Sequence, residues 1–300
     1  MRAKTILALL LTFLAARGAR AEIGAISGGA PSPNVAIQIY QNEIIGDDPV
    51  PIGNVWHVPS PGQPGRIVLN PGGEANGDGQ PSILRNPAAG LALVAWSRNS
   101  ASGYDVVISR FDNGAWTDPQ VVAGTAANEL DPQLVLDPDG SIHLFFWVDG
   151  ATPQVLYTHA PADLSAWSAP TVVSQPGEPA CRPAGIVHGG VLRVAYEVHD
   201  FGFGNSPREV VLARQEAGGF TPEVVAMTNN LDEVRPQVHS HAGKLWVDWV
   251  DAQTTGGSGE VAWTRLDTLG HWEPIKFEAF GDQLQRSYLT RGGVRMLAIQ

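Results

Sequence analysis

The sequence predicts an all-β protein, specifically a five-bladed β-propeller of four-stranded antiparallel blades. Three observations support this fold class. A similar segment returns about every 51 residues, each copy contains apolar runs separated by turns, and the 300 residues include 34 glycines and 23 prolines. Four-stranded units repeated at this period are typical of propellers, in which the blades pack face to face around a central channel.

The first half of each unit is predicted to be a β-hairpin. The units open 51, 51, 53 and 51 residues apart, at Pro81, Pro132, Pro183, Pro236 and Ser287. Each opening is followed by an apolar run, a glycine-containing turn and a second apolar run, which is the pattern of two paired strands. A large aromatic residue ends the second run in four units and predicts one layer of core aromatics: Trp96, Trp147, Tyr196 and Trp249.

The second half of each unit adds two strands. Third strands are predicted at 105–110, 154–158, 209–214 and 260–265, and each is followed by a turn and a short fourth strand. The unit opened by Ser287 contains only its first hairpin. We expect residues 34–41 and the segment around Trp56 to supply the missing outer strands, so that the two ends of the chain complete one blade and leave no open edge. Residues 59–79 are predicted to be a long loop with a short strand at 66–69.

The first 21 residues have the features of a secretory signal. Arg2 and Lys4 precede an apolar run at 6–16, and a small-x-small cleavage pattern ends at Ala21. Residues 22–300 are then predicted to form a single propeller domain in a secreted or periplasmic protein, without membrane insertion after cleavage. Cys181 is the only cysteine, so no disulfide can form within the chain, and we expect its thiol to be buried. The net charge of −11 argues against a nucleic-acid partner.

Two motifs carry a resemblance to a known family. The segment 132–147 combines a proline, an apolar run, an Asp-Pro-Asp-Gly turn and a second run with His143 and Trp147. The segment 109–116 is similar to an Asp box. Both resemble the repeats of the sialidase superfamily and its lectin-like BNR-type relatives. In an enzyme of that group, the resemblance implies an Asp acid/base, a Tyr nucleophile with a Glu partner, and arginines that grip a carboxylate.

One face of the predicted propeller collects charged residues. The residues directly before the aligned openings are Gln80, Asp131, Arg182, Arg235 and Arg286. Glu129 and Glu233 lie two positions before two of these, and the loops after the second strands contribute Asp149 and Asp251. Arginines repeated at one position on three successive blades would converge near the axis, where they could bind a carboxylate, sulfate or phosphate. The same charges could instead neutralise one another in an inter-blade ring of ion pairs.

The sequence therefore predicts a carbohydrate or another small anionic ligand, bound at the channel face through Arg182, Arg235 and Arg286. A glycoside hydrolase of sialidase-like or furanosidase-like type is the enzyme alternative, with Asp131 as acid/base and Glu233 or Tyr288 near the reacting carbon. A protein-interaction scaffold is a third possibility, with Phe201 and Phe203 as contacts. No cofactor is predicted. No metal site is predicted either, because His239 and His241 lie near a hairpin turn, where packing histidines are more common than ligands.

Overall fold

The protein is described by a computed structural model. It describes residues 36–41, 53–58, 67–68, 79–86, 91–112, 115–198, 208–226, 232–252, 260–267, 270–279, 286–291 and 294–299. Within these ranges the regular secondary structure is entirely β, in 22 strands. No helix in this part of the chain is long and apolar enough to cross a membrane.

Four antiparallel sheets, one for each proline-opened unit, form the body of the structure. Sheet 1 consists of β4 (Gly79–Asn86), β5 (Leu91–Ser100), β6 (Gly103–Asp112), β7 (Ala115–Trp116) and β8 (Gln120–Ala123), with both β7 and β8 paired to β6. Sheet 2 consists of β9 (Asn128–Leu136), β10 (Ile142–Asp149), β11 (Gln154–Ala160) and β12 (Thr171–Val172). Sheet 3 consists of β13 (Ala180–His188), β14 (Val191–Val198), β15 (Glu209–Glu216) and β16 (Gly219–Ala226). Sheet 4 consists of β17 (Asp232–His241), β18 (Lys244–Ala252), β19 (Glu260–Leu266) and β20 (Lys276–Ala279).

The strands near the two ends of the chain form smaller sheets. β1 (Ala36–Gln41), β2 (Gly53–Val58) and β3 (Ile67–Val68) make a three-stranded sheet, and β21 (Arg286–Arg291) pairs with β22 (Val294–Ile299). The strands expected at 34–41, around Trp56 and at 66–69 are therefore confirmed. Within the described strands no ladder joins these two small sheets, and their union into one blade stays a prediction.

The first strands of successive sheets lie side by side. β4 contacts β9, β9 contacts β13, and β13 contacts β17, so these four form the inner layer of the propeller. A direct hydrogen bond crosses one of these boundaries, from the Leu134 backbone N–H to the Ser82 hydroxyl at 2.9 Å. A residue on an inner strand of one sheet therefore meets residues from the neighbouring sheets.

The space between sheets 2 and 3 is filled by aromatic side chains. Phe145 is fully buried and meets Phe220 edge to face, with ring centroids 5.8 Å apart, while Tyr157 packs against both rings. Gly185 on β13 makes this approach possible. A Cβ at that position would lie 2.6 Å from the Phe145 ring and 2.8 Å from Val135, closer than packed atoms tolerate.

Each inner strand contains a β-bulge at its proline. Two residues of the inner strand face one residue of the second strand in all four sheets, and the bulged pairs are Gln80-Pro81, Asp131-Pro132, Arg182-Pro183 and Arg235-Pro236. Proline has no N–H to give to the ladder, so a bulge is one of the few places where a sheet accepts it. Asp131, Arg182 and Arg235 adopt left-handed backbone conformations, with φ of 50°, 50° and 55°, as the first residue of one class of bulge does.

The bulges also define the aromatic layer. The single residues that face the bulged pairs are Trp96, Phe146, Tyr196 and Trp249, and each is at most 1% exposed. In sheet 2 the layer therefore contains Phe146, and the expectation that Trp147 fills this place is wrong. Trp147 follows Phe146 on β10, so its side chain lies on the opposite face of the strand, where it is only partly buried.

Candidate functional site

The three left-handed residues bring charged side chains from sheets 2, 3 and 4 together. We call Asp131, Trp147, Arg182, Glu197 and Arg235 the bulge cluster. Asp131 is within electrostatic reach of Arg182, Glu197 and Arg235. Because a left-handed backbone costs a non-glycine residue roughly 1–2 kcal/mol, three such residues at one repeat position mark a place where the fold tolerates strain.

Glu197 is the centre of the cluster. Its side chain has no exposed surface, and both of its carboxylate oxygens lie 3.2 Å from Nη1 of Arg182. The Arg235 backbone N–H donates to Oε1 at 2.5 Å, from the bulge of the neighbouring sheet. Glu197 thus fixes the side chain of one bulged residue and the backbone of the next.

Arg182 remains accessible while paired. Its side chain is 41% exposed, and Arg235 is exposed as well. Burial opposes the charge of Arg182, but the Glu197 carboxylate outweighs it and holds the pKa of Arg182 above its ordinary value. Two exposed arginines therefore lie beside the buried Glu197 carboxylate, which holds the guanidinium group of Arg182 and the backbone of Arg235, and this arrangement suits the binding of an anion.

Asp131 occupies a different environment. Burial raises its pKa, although the indole N–H of Trp147 donates to Oδ2 at 2.7 Å and the two arginines favour the charged form. The carboxyl group thus stays protonated to higher pH than an ordinary aspartate. A carboxyl group tuned in this direction can donate a hydrogen bond or a proton to a ligand.

The thiol of Cys181 belongs to the same region. Cys181 is buried, as expected, and its Sγ lies 3.8 Å from Oε2 of Glu197. Burial, with the nearby Glu197 charge, raises the pKa of the thiol far above its ordinary value. A thiol in this state is a poor nucleophile, so its role is in packing.

Other predicted site residues lie outside the bulge cluster. Glu129 is fully buried on β9 and accepts two hydrogen bonds from Thr125, through the backbone N–H at 3.1 Å and the hydroxyl at 2.6 Å. This position suits a structural role better than ligand contact. Asp149 is exposed at the end of β10, where the side-chain amide of Asn128 approaches it at 3.4 Å.

The remaining predicted residues are described through the backbone alone. Glu233 faces Asp251 across the β17–β18 ladder, Gln80 lies in the bulge of β4, and Arg286 and Tyr288 lie on β21. Their side chains lie outside what the structure describes, as do Phe201 and Phe203. The structure therefore brings together Asp131, Arg182 and Arg235 from the predicted set.

His239, near the β17–β18 turn, makes packing contacts. His239 lies 3.3 Å from Asp248 and stacks on Trp246, with ring centroids 5.9 Å apart. In the described ranges no group of three or more His, Cys, Asp or Glu side chains is arranged to hold a metal ion.

Glu197 was not predicted from the sequence. Trp147 and Tyr196 each end the second apolar run of their unit and are expected to be equivalent, although the structural equivalent of Tyr196 is Phe146. With the bulges aligned, Glu197 and Trp147 occupy the same position, directly after the layer aromatic, and each contacts the left-handed residue of its own sheet. The sequence did contain one indication of Glu197, since it is a polar residue directly after Tyr196, the aromatic residue that ends the second run.

No protein-family model matches the chain, and no curated protein is significantly similar to it in sequence. Solved structures do resemble it. An ulvan lyase from a new polysaccharide lyase family aligns with a TM-score of 0.62 at 10% identity, over 89% of this chain and 74% of that one. An α-L-arabinanase from Penicillium chrysogenum, solved with arabinobiose, aligns with a TM-score of 0.57 at 13% identity, over 94% and 93%. A thermostable family-43 glycoside hydrolase aligns with a TM-score of 0.54 at 13% identity, over 89% and 96%.

At these identities the likeness concerns the fold. The expected membership of the sialidase group stays a prediction. The all-β architecture, the antiparallel four-stranded sheets and the structural neighbours together show that this chain has a propeller-type fold shared with carbohydrate-active enzymes.

Proposed function

We propose that the protein binds an acidic saccharide at the bulge cluster, on the inner face of the propeller. The observation that carries the proposal is the convergence of Arg182, Arg235 and Asp131 around the buried Glu197 carboxylate. The likeness to carbohydrate-active propellers supports a sugar as the ligand class.

The charges of the cluster favour an anion. Glu197 pairs with Arg182, and burial raises the pKa of Asp131, which reduces the negative charge of the cluster at a given pH. A carboxylate or sulfate on a sugar would accept hydrogen bonds from the exposed guanidinium group of Arg235. The carboxyl group of Asp131, when protonated, would donate to a ring or glycosidic oxygen nearby.

A glycoside hydrolase is the second candidate. The observation that favours it is Asp131 itself, a carboxyl group with a raised pKa on a left-handed backbone, because proton donors in such enzymes need a raised pKa. Glu233 and Tyr288 are the proposed partners for the reacting carbon, and Arg286, Gln80, Asp149 and Asp251 are proposed to line the same face.

Binding can be tested with one variant pair. Arg235→Gln removes the exposed guanidinium group but keeps the backbone N–H that Glu197 accepts. Isothermal titration with a galacturonic acid disaccharide should show binding that weakens roughly 10- to 100-fold in Arg235→Gln, the usual contribution of charge-assisted hydrogen bonds. Arg214→Gln is the matched control, since Arg214 is similarly exposed but lies at the end of β15, where it pairs with Glu216 and Glu223.

Three outcomes separate the possibilities. Equal binding by wild type and Arg235→Gln removes the arginine from the site. A lower melting temperature in Arg235→Gln, together with unchanged binding, assigns the cluster to an inter-blade ion-pair network. Turnover of an aryl furanoside or aryl sialoside by wild type, lost in Asp131→Asn, supports the hydrolase candidate.

The finer architecture is also proposed. We infer a closed ring of five blades within residues 22–300, in which β1 and β2 complete the blade that contains β21 and β22. The four proline-opened sheets and the half-unit at Ser287 support this count. The signal-like first 21 residues support export to the periplasm or the medium.

A further inference from the structure

A cavity lies between sheets 1 and 2, away from the bulge cluster. Its volume is about 180 Å³. One wall comes from β5, β6 and the segment that leads into β8, and the other comes from the turn between β11 and β12. Leu93, Ile108 and Gln120 line it on one side, and Asp163, Leu164 and Trp167 on the other.

The cavity is remote from the proposed acidic-sugar site. Leu93 precedes the layer residue Trp96 by three positions on β5 and pairs with Arg110, whereas the bulge of β4 faces Trp96. Three strand residues span about 10 Å, directed toward the opposite end of the sheet from the charged loops. The cavity therefore opens on a different part of the surface.

Its lining combines an apolar floor with a polar rim. Leu93 and Ile108 are buried beneath it, and Leu164 and the partly buried indole of Trp167 form its side. The Thr117 hydroxyl oxygen already accepts from the Arg110 backbone N–H at 3.0 Å, so its O–H remains to donate. The exposed amide of Gln120 offers both a donor and an acceptor.

The turn between β11 and β12, which contributes Leu164 and Trp167, is held in place by hydrogen bonds within the turn. Leu164 has a φ of 57°, in the left-handed region, and its N–H donates to the Pro161 carbonyl at 2.9 Å. The Ser165 N–H donates to Oδ1 of Asp163 at 2.9 Å and holds the pKa of that carboxyl group below its ordinary value. Asp163 is therefore a fixed, ionised acceptor at the rim.

The charge at the rim differs from that of the bulge cluster. Arg110 is paired with Asp112, with Nη2 3.0 Å from Oδ2. Asp163 then leaves the rim with an excess of negative charge, which repels anions. Such a rim disfavours an anionic ligand, and the indole with the hydrogen-bonding groups around it suits a ligand that has an apolar face and hydroxyl groups.

We propose that this cavity is a second saccharide site, which holds a single ring of a neutral sugar against Trp167. The volume agrees with one ring, since it is smaller than the roughly 300–1,000 Å³ of pockets that enclose drug-sized ligands. The ring would stack on the indole, and its hydroxyl groups would bond to Asp163, Gln120 and Thr117. The site is independent of the bulge cluster and of its proposed ligand.

The test follows the indole N–H signal of Trp167 in two-dimensional ¹H–¹⁵N spectra, assigned with Trp167→Phe. The probes are arabinobiose and cellobiose, both neutral, and a galacturonic acid disaccharide. Saturable shifts of the Trp167 signal with a neutral probe, and not with the acidic one, are expected. Trp167→Ala removes this signal, so its affinity is measured by isothermal titration, and it should bind the neutral probe about tenfold or more weakly, the scale of a lost aromatic contact.

Two further variants keep the result decisive. Gln120→Ala changes an exposed rim residue without touching the core, so it reports on the site even where Trp167→Ala fails to fold. Arg235→Gln should leave the Trp167 shifts unchanged, which separates failure of this site from failure of the bulge cluster. An absence of saturable shifts with both neutral probes, or equal affinities in wild type and Gln120→Ala, would overturn the proposal.

Discussion

The substitution Glu197→Gln tests whether one buried carboxylate holds sheets 3 and 4 together at the bulge cluster. The carboxylate accepts from the Arg182 guanidinium group and from the Arg235 backbone N–H. Hydrogen bonds to charged groups contribute about 1.5–3 kcal/mol each. Glutamine keeps one acceptor oxygen and loses the charge, so about one such interaction disappears, and we expect a loss of about 2–3 kcal/mol in the free energy of unfolding.

Urea denaturation followed by tryptophan fluorescence measures this loss, and thermal scans should show a melting temperature lower by about 4–12 °C. Glu216→Gln is the matched control, because Glu216 pairs with Arg214 at the exposed end of β15, where loss of the charge should have little effect on stability. Affinity for an acidic disaccharide should fall along with stability, since Arg182 loses its anchor. A Glu197→Gln protein as stable as wild type would refute the view that this carboxylate fixes the two bulges.

Two further predictions concern packing and pH. Gly185→Ala should destabilise the protein by about 1–3 kcal/mol in urea denaturation, because its Cβ would overlap the Phe145 ring. A stability equal to wild type would show that the interface between sheets 2 and 3 moves apart without cost. Burial raises the pKa of Glu129 above the ordinary 4.5, so its contribution to stability is complete below that pH and is lost as pH rises through the folded-state pKa. Glu129→Gln keeps the oxygen that accepts from Thr125 but cannot ionise. The variant should therefore be more stable than wild type at neutral pH, and the two free energies of unfolding should become equal below pH 4.5. Parallel curves of stability against pH would contradict this account.

The repeat carried most of the fold information in the sequence. A period of about 51 residues and the alternation of apolar runs with turns predict the hairpins and the third and fourth strands of the four sheets, because these patterns reflect burial directly. Sheet 1 differs from the prediction of four strands, because the two-residue strand β7 also pairs with β6. Even the short strand β3, with two residues, lies within its predicted range.

The site was predicted less completely because it depends on register. The large aromatic that ends the second run faces the bulged pair in sheet 3, at Tyr196, whereas in sheet 2 the residue before it, Phe146, does so. A shift of one residue moves a side chain to the other face of a strand, which is why Trp147 was expected in the core and Glu197 was overlooked. The left-handed backbone of Arg182 also depends on a bulge, which sequence periodicity does not reveal.

The bulges separate the part of each inner strand that determines pairing from the part that determines chemistry. The proline and the facing aromatic are buried and nearly constant from sheet to sheet, while the preceding residue is successively an amide, a carboxylate and two guanidinium groups, in Gln80, Asp131, Arg182 and Arg235. This chain therefore already contains three chemically different side chains at four equivalent structural positions. A change of ligand charge would need only a substitution at these places, with strand register and core left as they are, so the inner face can diversify by point mutation faster than the scaffold that supports it.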